Sequence, residues 1–162
     1  MNVGTGPTGS TNAPSAVPGR QPPAPGPVAR AHVLRKLSAA ECFELLEASG
    51  VGRVGFTAAD GIMMLPVNFA VTEKTIVFRT APDTLLALYA NGPVSFEVDR
   101  LDESRTEGWS VLLHGHGRTV TDEHEVRHIE DRAQLEPWAG GARDVYVRIT
   151  PGKISGRCIQ PS

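Results

Sequence analysis

The residues whose types and spacing most suggest chemistry are Arg79-Thr80 and, a few positions on, Asp83-Thr84. A strand ending at Arg79-Thr80, followed by a short loop and a helix beginning near Thr84, gathers a guanidinium, hydroxyls and backbone N–H groups in one place. Such a set can hold an anion such as a phosphate, although an ordinary helix cap beside an exposed arginine shows the same pattern. His114 and His116 would share one face of a strand, and His124 and His128 stand one helical turn apart. Neither pair has an evident third and fourth ligand for the usual coordination count, so no metal is expected. Trp109 opens a strand, whereas Trp138 lies in the turn-rich stretch from Pro137 to Arg143. There a large ring must pack against the barrel, another subunit or a planar ligand. Cys42 and Cys158 lack CxxC spacing and read as small buried or half-buried thiols. No GxSxG, HExxH, GxGxxG or Walker sequence occurs. Any activity must therefore come from a bound cofactor, or from residues that only the fold brings together.

The elements that would position these groups are short and mostly extended. Ser38 with Glu41 forms a capping box ahead of Cys42, Leu45 and Leu46 at helical spacing, and Gly50 stands where a left-handed cap would close that helix. Gly52–Phe56 alternates, Asp60-Gly61 signals a hairpin turn, and Ile62–Val71 continues as a second strand. Thr75–Thr80 is rich in β-branched residues and stops at Pro82, after which Asp83 can cap a helix from Thr84 to Tyr89. Val94–Asp99 and Trp109–Val120 read as strands, and Asp122 opens a charged helical segment reaching about residue 134. Val145–Thr150 and Lys153–Ile159 form two strands, or one interrupted at Pro151-Gly152. Turns this tight leave no room for βαβ crossovers, and an antiparallel barrel with helices at its rim is expected.

The chain has 162 residues and 13 prolines, of which 7 precede residue 28. Met1–Pro27 contains no Leu, Ile, Phe, Trp or Tyr and no acidic residue. With so little apolar surface to offset the entropy of ordering, residues 1–30 are expected to form a disordered arm and residues 31–162 a single domain. Beyond the arm, 14 Lys or Arg face 18 Asp or Glu, a net charge of −4, which argues against nucleic acid as a partner. No apolar run is long enough to span a membrane, and the N-terminus lacks the charged and apolar regions of a secretory signal. A cytoplasmic location is expected.

Five stretches, in order, carry a likeness to a known family: Gly52–Phe56, Leu65-Pro66-Val67-Asn68-Phe69, Val77–Thr80 with its following helix, Ser95–Asp99, and Gly108–Val111. With the Pro137–Arg143 stretch and Ile154–Arg157, they resemble the FMN-binding split-barrel superfamily. The likeness is to its pyridoxamine 5'-phosphate oxidase-like branch, including nitroimidazole-resistance-type proteins and actinobacterial members. The resemblance implies a six-stranded antiparallel split β-barrel with short flanking helices, forming a homodimer with cofactor sites at its interface. It implies that Leu65, Pro66, Val67 and Asn68 edge an isoalloxazine ring through backbone groups, that Arg79, Thr80 and Thr84 meet the ribityl chain and phosphate, and that Trp138 and Arg143 come from the partner subunit. FMN and redox chemistry on a small molecule follow from the same likeness, because the flavin carries the reaction and the protein positions it. Many members carry a lysine for the FMN phosphate where this chain has Leu85. The deazaflavin coenzyme F-420, or no cofactor in a binding or stress-associated protein, are the alternatives.

Overall fold

The computed structural model describes residues 32–102, 107–133, 135 and 143–161. The expected arm and Trp138 lie outside the described residues. In chain order the elements are β1 (His32–Leu37), α1 (Ala39–Glu47), β2 (Val51–Ala58), β3 (Gly61–Thr72), β4 (Thr75–Thr80), α2 (Leu85–Tyr89), β5 (Gly92–Asp102), β6 (Glu107–Val120), α3 (Glu123–Arg132) and β7 (Val145–Pro161).

All strand pairings are antiparallel, as the short connections require. The sheet runs β1-β7-β4-β3-β2-β5-β6, and β6 pairs again with β7. The expected six-strand arrangement is thus β7-β4-β3-β2-β5-β6, and β1 adds a seventh strand on the far half of β7, from Leu37↔Gly156 to His32↔Pro161. β7 runs unbroken through Pro151-Gly152, long enough to serve β4 with its first half and β1 with its second. Against it β6 shifts register between His114 and Gly115. A Cβ on Gly115 would strike the Thr150 carbonyl, and one on Gly117 would strike the Ala90 carbonyl, so close backbone approach excludes larger residues at this bend.

Alternation along the strands builds the main core. Val54, Phe69, Ile76, Phe96, Leu113 and Val147 all point inward, and the Phe69 and Phe96 rings meet edge to face with centroids 4.8 Å apart. Helix α1 covers one part of that core with the fully buried Cys42 and Leu46, and its capping box is formed as expected. Its end is not. The cap is Ala48 with ordinary helical φ, its N–H donating to the Glu44 carbonyl, so Gly50 plays no left-handed role. Helix α2 is capped by Thr84 rather than Asp83, because the Thr84 hydroxyl accepts from Ala87 N–H.

Helix α3 covers the outer face of β4 and β7, burying Ile129 with Val77, Val120 and Tyr146. Polar contacts fix it there. Glu125 accepts from Arg118 and pairs with the buried Arg148, whose Nε lies 2.7 Å from Oε1 as an ion pair rather than an aligned hydrogen bond. The Arg118 hydrogen bond, opposed by burial, holds the Glu125 carboxyl below its ordinary range. His128 and Arg132 reach Glu73 in the β3–β4 turn. Glu73 and Lys74 both adopt left-handed backbone, φ 52° and 57°, the geometry of a two-residue hairpin turn built here without glycine.

Candidate functional site

Of the expected cofactor-binding residues, Leu65–Asn68 and Arg79-Thr80 flank one gap because the β3–β4 hairpin opens before it ends. Its ladder runs from Thr72↔Thr75 to Phe69↔Phe78 and stops. Beyond that point β3 pairs with β2, from Val51↔Asn68 to Ala58↔Gly61, while β4 continues against β7 at Arg79↔Tyr146 and Thr80↔Val145. The two strands diverge, and a split opens whose margins are Leu65–Asn68 on one side and Arg79-Thr80 on the other. β3 meets the split with a backbone edge that the β4 ladder does not cover. Backbone donors and acceptors on such an edge are obligatory bonding groups that a planar heterocycle can satisfy.

Side chains sort to two faces. Val67 is buried in the core and Leu65 packs against it, whereas Pro66 is exposed and Asn68 half-buried. Thr80 is buried, and its hydroxyl lies 2.7 Å from that of Thr84. Thr84 Oγ1 also donates to the Ala81 carbonyl at 2.9 Å. The two hydroxyls therefore form one polar knot joining the end of β4 to the start of α2. Next to it Leu85 stands 41% exposed, at the place where the resemblance calls for a cation.

Arg79 leans outward over the face covered by α3, the face of β4 opposite Thr80, so the guanidinium and the two hydroxyls do not share one face as the sequence suggested. Its Nε–H donates to the Arg143 carbonyl at 2.8 Å, one Nη lies 3.8 Å from Asp144 Oδ1, and its guanidinium carbon stands 5.1 Å from the centre of the Tyr146 ring. Arg143 of this same chain thus meets Arg79 through its backbone carbonyl. Tyr146 and Glu130, its hydrogen-bond acceptor at 2.8 Å, carry no sequence signature. Their relation to Arg79 depends on a cross-strand register and a helix position that no local pattern encodes. Burial, with the Glu130 hydrogen bond, pushes the Tyr146 phenol up against the lowering effect of Arg79.

The remaining candidates lie elsewhere. His114 Nδ1 is 3.0 Å from Ser95 Oγ on the outer face of β5 and β6, and His128 Nε2 is 3.1 Å from Glu73. Among the described residues no cluster of three or more His, Cys, Asp or Glu could hold a metal. Cys42 is buried and Cys158 half-buried, both free thiols, and burial pushes Cys42 up. Trp109 packs partly against the main core. Among the described residues no helix is long and apolar enough to cross a membrane.

The sequence model of the pyridoxamine 5'-phosphate oxidase family matches residues 38–158. A Mycobacterium tuberculosis protein is 31% identical over 122 residues, covering 72% of this chain and 79% of that protein. Among solved structures, the FAD binding protein from Mycobacterium smegmatis is 38% identical with a TM-score of 0.66, covering 76% of this chain and 96% of that one. A conserved protein from Corynebacterium diphtheriae is 34% identical with a TM-score of 0.66, covering 78% of this chain and 98% of that one.

Proposed function

Because the chain belongs to the pyridoxamine 5'-phosphate oxidase family, with the split-barrel fold, we propose that it binds a flavin nucleotide in the β3–β4 split and uses it for redox chemistry on a small molecule. The observation that carries this reading is the divergence of β3 and β4 just beyond Phe69↔Phe78, which opens a split between Leu65–Asn68 on β3 and Arg79-Thr80 on β4. The residues present fit such a group. Leu65–Asn68 would border the ring through backbone groups, and Arg79 from one face of the end of β4 and the Thr80–Thr84 hydroxyls from the other would meet the ribityl chain and phosphate. A bound flavin would supply the hydride acceptor and donor, and the chain's own part would be binding, orientation and exclusion of water. The name of the Mycobacterium smegmatis relative, an FAD binding protein, supports a flavin. The exposed Leu85, where a lysine would grip a terminal monophosphate, favours a cofactor held less by charge at that point.

The functional unit in this reading is a homodimer with shared cofactor sites, located in the cytoplasm. Support comes from an apolar row straight across four strands: Leu101 opposite Gly108, Gly108 opposite Ile159, and Ile159 opposite Leu34. Leu101 is 68% exposed and Leu34 is 59% exposed. A stripe this apolar across a sheet face is suited to contact with a second copy.

The test is a visible spectrum of the purified protein, followed by titration with FMN, FAD and riboflavin read by flavin fluorescence. Saturable quenching by at least one flavin is expected. No bound-flavin absorbance and no quenching by any of the three overturns the reading.

A further inference from the structure

An arginine that serves an anion must have its donor edge aimed before the anion arrives, because a free guanidinium samples many rotamers. In this chain three neighbours aim Arg79. The Arg143 carbonyl takes the Nε–H, and the Tyr146 ring, directly opposite on β7, lies under the guanidinium. Asp144 meets the Nη edge at 3.8 Å, the loosest of these contacts. The ring itself cannot slide. Tyr146 is 4% exposed and packed with Val77, Val120 and Ile129, and its hydroxyl donates to Glu130 on α3. The plane of Arg79 is thus set by a residue that a helix on the outer face holds in place.

We infer that Tyr146, anchored by Glu130, is a positioning residue that presents the Nη edge of Arg79 to a phosphate or pyrophosphate ester in the split, the ester displacing Asp144. The inference rests on the flavin-nucleotide reading above. A planar fork with one edge already engaged and its face stacked matches two oxygens of a phosphoryl group better than a flexible ammonium would.

The experiment compares riboflavin, which lacks phosphate, with FMN and FAD on the full chain and on Tyr146→Leu, Tyr146→Phe, Glu130→Gln and Arg79→Lys. Wild type is expected to prefer the nucleotides over riboflavin. Tyr146→Leu lowers that preference about five- to tenfold with riboflavin affinity unchanged, and Tyr146→Phe, which keeps the ring, retains most of it. Glu130→Gln lowers it about twofold, and Arg79→Lys lowers it despite keeping the charge. An unchanged preference in Tyr146→Leu, or equal losses for riboflavin and the nucleotides, overturns the inference while leaving flavin binding intact. If Tyr146→Leu does not fold, an unchanged preference in Arg79→Lys overturns it instead. Failure of wild type to bind any of the three overturns the flavin reading, and this one with it.

Discussion

Asn68 and Arg79 stand at the next register position beyond Phe69↔Phe78, and the β3–β4 ladder does not join them. Each is paired only on its other side, Asn68 with Val51 on β2 and Arg79 with Tyr146 on β7. The candidate site is this point of separation, where a hairpin that begins tightly at Glu73-Lys74 comes apart after four pairs.

Adding a cation beside the Thr80–Thr84 knot tests whether a phosphate sits there. Leu85 is exposed, so Leu85→Lys can be made without opening a cavity. A charge-assisted contact is worth about 1–3 kcal/mol, and FMN affinity is expected to rise about five- to a hundredfold while riboflavin affinity stays as it was. Fluorescence titration with both ligands measures the difference. Equal affinities for FMN before and after the change would place the phosphate away from the start of α2.

The apolar row across β5, β6, β7 and β1 predicts an oligomer that one charge can break. Ile159 is 39% exposed and lies between Gly108 and Leu34. Ile159→Glu places a carboxylate in the middle of the row, where burial without a partner is costly. Light scattering during size exclusion is expected to read a dimer for wild type and a monomer for the variant, with unchanged circular dichroism. A monomeric wild type removes the shared-site arrangement.

Acid is expected to loosen the junction of β1 and α1. The Glu41 carboxyl is held down to about 2 by the Ser38 backbone N–H, then by the Ser38 hydroxyl and the Arg35 guanidinium. Its folded value lies below the unfolded one, so its contribution is fully present above about 4.5 and is lost as pH falls toward about 2. The site is open to solvent, and screening keeps the effect small. Thermal melts of wild type and Glu41→Gln between pH 6 and 2, roughly the span of that titration, should converge at the acid end. A constant gap in Tm across the series contradicts the assignment.

Close backbone approach at the β6 bend makes Gly117 hard to replace. A Cβ there meets the Ala90 carbonyl just after α2, and backbone cannot yield as a flexible side chain can. Gly117→Ala is expected to cost about 1–3 kcal/mol through overpacking, read as a lower denaturation midpoint with an unchanged slope. Gly152 is the control, since an added Cβ there meets only the His114 carbonyl at 3.5 Å, and Gly152→Ala should be near neutral.

Much of the fold was legible because it is written in short-range terms. Alternation named the strands, Asp60-Gly61 named a hairpin, and Ser38 with Glu41 named a helix start, since each is a pattern of neighbours along the chain. Gly50 misled, because whether a helix closes through a left-handed residue depends on where the following strand must go. The Glu73-Lys74 turn was silent, having no glycine to announce it, and is accompanied by contacts from α3 that lie some 55 residues further on.

The sequence by itself determined most of the antiparallel strand set and the N-caps of α1 and α3, because periodicity and local hydrogen bonding are properties of adjacent residues. Only the tertiary structure decided that β3 and β4 part after Phe69↔Phe78, that Tyr146 lies beneath Arg79, and that Leu101, Ile159 and Leu34 fall in one row. Those relations depend on register between distant strands, and register is settled by packing the whole core at once.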